Sequence, residues 1–343
     1  MQSYFRTFVV YDFLKDAVHN LQINSLFKDR GDQWYKMRYG IQGTCCGIDG
    51  NEDPTVVTVN SPITFVANSK HAAITGEVAN LQDLLVYACT GLSYLTLEAR
   101  KQGVQTNKEN KFITNALFMT ITNANFNESS FLNTIKECIT LRDSLKSKLN
   151  SGIAHDSVTW APNSTDDYYE KAKVTGIQSC DNDEDLRALK QYMLYGLKGM
   201  AAYTEHAFNL GYEEDDLFNF MQEGLVAIVS KQTLDNMLTL LMRTGEYGVK
   251  AMALLDTANT STYGNPEITK VSTAVGRNPG ILVSGHDLKD LEQLLIQAEG
   301  KGIDIYTHSE MLPSHAYPQL KKYRHLVGNY GGAWHQQLED FER

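Results

Sequence analysis

GILVSGHDLKDLEQLLIQAEGKGIDIYT, residues 280–307, decides the fold. It opens with a short apolar run that stops at Gly285. Leu288, Leu291, Leu295 and Ala298 then fall on one face of a helical segment closed by Gly300 and Gly302, and IDIYT (303–307) reads as a second strand. Strand, helix and strand at this spacing predict a parallel βαβ unit. Downstream, YPQLKKY (317–323) reads as a short helix and HLVG (325–328) as a third strand. The expectation for 269–343 is a truncated Rossmann-like parallel α/β domain, because about three strands are few for a doubly wound sheet.

Working outward, residues 76–268 read as a helical bundle domain. In 127–149, Phe131, Ile135, Cys138, Ile139, Leu145 and Leu149 share a face behind a candidate Asn127 cap. In 184–209, Leu186, Leu189, Met193, Leu197 and Met200 keep steps of three and four, with Asp181 and Glu184 resembling a capping box. In 213–229, Leu217, Met221, Leu225 and Ile228 repeat the pattern behind four acidic residues at the positive helix start. A further helix runs through TLDNMLTLLMRTGEYGVKAMALLDTA (233–258). Residues 1–75 form a divergent N-terminal segment, in which 54–69, PTVVTVNSPITFVANS, predict two short strands around Asn60-Ser61-Pro62. The overall class is therefore multidomain, α followed by α/β.

Composition excludes several roles. With 31 basic and 41 acidic residues the formal charge is −10, which argues against nucleic-acid or anionic-membrane binding. No apolar run is long enough to span a bilayer. The first twenty residues make a poor signal peptide, since Asp12 and Lys15 break the apolar run. Cytoplasm is the expected compartment. The five cysteines, Cys45, Cys46, Cys89, Cys138 and Cys180, follow no regular spacing and contain no C-x-x-C, so neither a disulfide framework nor a self-contained cysteine metal quartet is predicted.

The chemistry concentrates at one sheet edge. His286 follows the first strand, and Thr307, His308 and Glu310 follow the second. Ligands of open parallel sheets bind beyond the carboxyl ends of the strands. Imidazole and carboxylate there suit iron or zinc, or a general acid–base pair. The structural alternative is that Ser284-x-x-Asp287 is only a capping box and His286 a first-turn residue bonded to backbone. Glu205 and His206 lie on a bundle helix and read as surface or satisfied core groups. The methionines of the bundle read as packing, Cys45-Cys46 as two separate thiols, and Trp334 as an anchor in a loop entering a helix.

Several stretches carry a wider resemblance: GEVANLQDLLVYACTGLS (76–93), LYGLKGMAAYTEHAFNLGY (194–212), VKAMALLDTANTSTYGNPEITKV (249–271), ILVSGHDLKDLEQLL (281–295), GKGIDIYTHSEMLPSHAYPQLKKY (300–323) and HLVGNYGGAWHQQ (325–337). Together they resemble the hybrid cluster protein family, also called hydroxylamine reductase or prismane, over about 76–343. The resemblance implies a helical domain followed by two α/β domains. It implies a 4Fe-4S cubane and a hybrid iron–sulfur–oxygen cluster, and reduction of hydroxylamine to ammonia and water, with links to nitric oxide and to nitrosative and peroxide stress. It also implies an external electron-donor redox protein. In the family the histidine of GHDL and the glutamate after the second strand are hybrid-cluster ligands, here His286 and Glu310. His308 is a candidate for proton delivery or for supporting the ligands.

The departures are specific. Ile74-Thr75-Gly76 stands where a Cys-Gly pair is expected, and residues 1–75 lack the cubane's cysteine pattern. The remaining hybrid-cluster ligands, several cysteines and a second glutamate, belong beyond residue 343. Ser309 replaces a glycine between His308 and Glu310. Two alternatives stand beside the iron–sulfur oxidoreductase: a non-catalytic fragment or binding module of that fold, and a mononuclear metal hydrolase using His286, His308 and Glu310. The sequence sets no oligomeric state.

Overall fold

The computed structural model describes residues 55–57, 65–67, 76–121, 125, 127–176, 180–285, 287–333, 336 and 340. Strands β1 (Thr55–Val57) and β2 (Phe65–Ala67) pair antiparallel with Val56 opposite Val66. These are the two strands expected there; their Asn60–Pro62 connection lies outside the described residues, as do Cys45 and Cys46.

Helices then follow: α1 (Gly76–Lys101), α2 (Asn107–Met119), α3 (Glu128–Lys146), α4 (Asp156–Thr159), α5 (Asp166–Ala172), α6 (Glu184–Asn209), α7 (Asp215–Val229) and α8 (Leu234–Tyr263). Helix α1 is the axis of the bundle. Leu81, Leu84, Leu85, Cys89, Leu92 and Leu95 are fully buried, and the helix packs on α2, α3, α4, α5 and α7. A helix apolar nearly all round belongs inside a bundle. Gly91 permits the closest approach: a Cβ there would meet the Ser157 carbonyl oxygen at 2.0 Å. One polar cluster that enters this core is hydrogen-bonded across helices. Arg100 donates to Asn110, Asn219 and Gln222, while Thr96 donates to Gln222 at 2.8 Å, tying α1 to α2 and α7. Satisfied buried networks of this kind fix helix register.

Caps end the helices where local chemistry allows. Asn127 accepts from the Ser130 amide and Thr233 from the Asn236 amide. The α6 start differs from the expected Asp181/Glu184 box. Asp183 is the cap, accepting from the Asp185 and Leu186 amides, while Asp181 instead holds the buried Lys190 ammonium at 3.0 Å.

The α/β region consists of β3 (Gly280–Ser284), α9 (Leu288–Ala298), β4 (Asp304–His308), a 3-10 segment (Ser309–Ala316), α10 (Pro318–Lys321) and β5 (Leu326–Tyr330). The strands are parallel in the order β3-β4-β5. Central β4 is buried at every residue, as a strand covered on both faces should be. Leu291, Leu295 and Ala298 of α9 pack with Val283, Ile305, Leu320 and Tyr263 in a second, smaller core. Tyr263 is the last residue of α8, so the bundle feeds directly into that core. Gly328 of β5 forms an isolated bridge with Ser272, whose carbonyl oxygen leaves no space for a Cβ. Among the described residues no helix is long and apolar enough to cross a membrane.

Candidate metal centre at the strand ends

Parallel pairing sets the site. Ser284, the last residue of β3, lies opposite His308, the last residue of β4. Positions 286 and 310 each follow that pair by two residues along the chain, and Glu310 stands just past the carboxyl end of β4. His286 itself lies outside the described residues. The chain leaves β3 through Gly285 at φ 130°, a conformation L residues rarely adopt. It leaves β4 through Ser309 at φ 53°, the one non-glycine with positive φ among the described residues.

Helix α9 starts differently from the expected Ser284-x-x-Asp287 box. Asp287 is its cap, with Oδ1 accepting from the Lys289 and Asp290 amides. A cleft of about 280 Å³ opens beside it, lined by Ser284, Gly285, Asp287, Asp290 and Met311 among others. Glu310, next to Met311, is half-buried, and burial pushes its carboxyl up to about 7. A carboxylate held from water in this way gains from a nearby cation.

His308 points inward. It is fully buried, with Nδ1 3.0 Å from Ser284 Oγ and Nε2 3.2 Å from Asp340 Oδ2. A proton on Nε2 bonds the carboxylate and leaves Nδ1 to accept from the serine hydroxyl. Both nitrogens are thus engaged in holding β3 against β4. Thr307 Oγ1, also buried, lies 2.8 Å from His315 Nε2 and donates to Asn329 at 2.9 Å, linking β4 to β5 and to the 3-10 segment. Burial lowers the His315 pKa.

The group that the sequence reading passed over is His206 on α6. It is buried, with Nδ1 2.9 Å from Glu205 Oε2 and Nε2 3.9 Å from Asp287 Oδ2. Burial opposes a charge there, but the Glu205 bond and the Asp287, Glu205 and Asp290 carboxylates outweigh it, so its pKa lies above the ordinary imidazole value. Glu205, His206 and Asp287 bring ligand-type atoms within 4.8 Å of one another. The only hint in the sequence is a Glu-His pair in an otherwise apolar stretch of helix; its partner Asp287 is remote along the chain.

Comparison with sequence families matches residues 73–343 to the Prismane/CO dehydrogenase family. The chain belongs to that family. It is 56% identical over 274 residues to a hydroxylamine reductase of Parabacteroides distasonis, covering 78% of this chain and 50% of the relative. It is 54% identical over 269 residues to one of Bacteroides fragilis (78% and 49%) and 50% identical over 274 residues to one of Clostridium novyi (78% and 50%). The chain thus spans about half the length of the curated relatives it matches.

Family membership implies an iron–sulfur centre, and the donors can be tested against one. Glu310, the described member of the expected pair, offers carboxylate oxygen, a donor that suits a single iron. An iron–sulfur cluster needs thiolates. Among the described residues the cysteines lie elsewhere. Cys89 and Cys138 face each other inside the bundle, where their mutual hydrogen bond and burial hold the Cys89 thiol well above its usual range. Cys180 lies beside Lys190 near the start of α6, roughly 30 Å along that helix from Asn209. Among the described residues the rim therefore offers the Glu310 carboxylate and no thiolate, and by itself does not fit an iron–sulfur cluster.

Proposed function

We propose that this chain carries the histidine–glutamate share of the hybrid-cluster ligands of a hydroxylamine reductase-like oxidoreductase. The observation that carries this reading is the β3–β4 register, which gives positions 286 and 310 equal offsets from the Ser284–His308 pair. Its support is the family match and the hydroxylamine reductases among the relatives. Reducing hydroxylamine to ammonia and water consumes two electrons and two protons, so an external redox protein is the expected partner. Cytoplasm remains the proposed compartment, and residues 76–268 and 269–343 the proposed domains. The cluster, when bound, would supply electrons and a Lewis-acidic iron. The residues here would orient that iron and keep water from its protein side. His308, buried between Ser284 and Asp340, holds the strand ends together in this reading.

Anaerobic titration with ferrous iron tests the ligand assignment. Glu310→Gln and His286→Ala should each weaken binding about tenfold or more; equal affinity in all three proteins would reject it. Reconstitution with iron and sulfide followed by hydroxylamine consumption tests activity.

A second reading, a non-catalytic or binding portion of the fold, is favoured by the distant thiols. Among the described strands β3 and β5 are also edges, which tend to recruit a partner. A monodisperse monomer in solution would count against it. The hydrolase alternative loses its third ligand, because both His308 nitrogens are already engaged.

A further inference from the structure

The two sides of the proposed ligand pair are held by different means. Glu310 follows β4, the central and wholly buried strand, whose end is pinned by the Ser284–His308–Asp340 bonds. Position 286 follows β3, which has one sheet neighbour among the described strands, and the ladder with β4 stops at Ser284, just before the turn begins.

Two contacts from one stretch of α6 meet that turn. His206 Nε2 faces Asp287 Oδ2 at 3.9 Å, while Asp287 Oδ1 caps α9. Lys289 Nζ donates to the Asn209 carbonyl, one of the unpaired carbonyls at the negative end of the helix. The anchor is itself fixed: Glu205 accepts from His206 Nδ1 and from Asn209 Nδ2 at 2.7 Å, and Phe118 packs edge-on against the imidazole at 5.4 Å. The last turn of α6 therefore lies against residue 287 at charge-pair distance and accepts a hydrogen bond from residue 289, immediately after the proposed ligand.

We propose that His206 is a positioning residue: through Asp287, and with Lys289 on the Asn209 carbonyl, the helical bundle holds the β3–α9 turn and so sets where residue 286 stands relative to Glu310. The role in iron binding rests on the ligand assignment above; the clamp does not. It gives the helical region a direct part in shaping a centre that the sheet alone leaves half-fixed.

Amide hydrogen exchange on the full chain, with ferrous iron titration in parallel, tests this. His206→Leu should speed exchange of the 286–290 segment about tenfold while leaving 304–308 unchanged. His206→Gln, which restores an N–H of similar reach toward Asp287, should recover most of the protection. Iron affinity should fall about tenfold in His206→Leu and recover in His206→Gln. Glu310→Gln should lose iron without loosening the turn; if it keeps iron, the ligand assignment fails while the exchange result still judges the clamp. Unchanged turn exchange in His206→Leu, equal loosening of β4, or identical behaviour of the Leu and Gln variants would overturn the proposal. Protection that depends on a stoichiometric divalent cation would overturn it too, replacing the contact by a bridging ion. Should His206→Leu not fold, Asp287→Asn keeps a competent cap, removes the facing charge and must loosen the same segment.

Discussion

The helical region and the sheet region bury their chains by different logic. Helix α1 is enclosed by its neighbours, and its backbone hydrogen bonds are internal to it. The sheet buries β4 completely but, among the described strands, leaves β3 and β5 with one partner each. A bundle closes once its apolar faces meet; a sheet keeps a row of backbone donors and acceptors at each edge until another element covers them. The isolated Ser272–Gly328 bridge covers part of the β5 edge. The lesson is that the candidate centre lies where the less self-sufficient region ends, and that the bundle reaches across to steady it.

Four measurements test that contrast. The largest effect is expected at Gly91, where a methyl group would collide with backbone of α4. Gly91→Ala should cost about 3 kcal/mol in denaturant unfolding; a loss below about 1 kcal/mol would show that the bundle is not close-packed there. Ile305 is fully buried in the smaller core. Ile305→Ala should cost about 2 kcal/mol, since an edge-limited sheet relaxes around the cavity. Exchange should rise in β3–β5 and not in α1; a rise shared equally by both regions would mean that they are one cooperative unit.

The third measurement concerns Glu310. Its folded pKa of about 7 lies above the ordinary 4.5, so the folded state binds the proton more tightly than the unfolded chain. The stability this proton confers is complete below pH 4.5 and is lost as pH rises to about 7. Glu310→Gln should therefore match the parent at pH 4 and exceed it by about 1–2 kcal/mol at pH 8, a figure reduced for the water still reaching this half-buried group. A pH-independent difference would reject burial as the cause. The smallest effect belongs to Ser309. At φ 53°, Ser309→Gly should gain about 0.5 kcal/mol, the relief of a left-handed residue less the extra freedom of the unfolded chain. A loss of stability would show that the serine side chain earns its place.

Much of this architecture was legible in the residues because it is local. Leu189, Met193, Leu197 and Met200 announce α6 by their spacing, and two short apolar runs flanking an amphipathic helix announce a parallel pair. The parallel register that sets Ser284 opposite His308 was equally readable, since two short strands joined by one helix permit little else. Caps were less legible. Asp181, Asp183 and Glu184 all carry the right chemistry for the α6 start, and Asp183 wins because its carboxylate reaches two amides while Asp181 is drawn to Lys190. His308 seemed available for chemistry, but its burial follows from central placement of β4, which no local pattern states.

The chain's own order of apolar, glycine and acidic residues determined a run of helices followed by strand–helix–strand, and with it the sheet edge that Glu310 follows. Only the tertiary structure decided that His206 faces Asp287, that Lys289 grips the end of α6, and that Glu310 is shielded enough to hold its proton near neutrality. The physical reason is range. Periodicity and turn chemistry act over a few residues, whereas burial and charge pairing depend on which distant segments the packed core brings into contact.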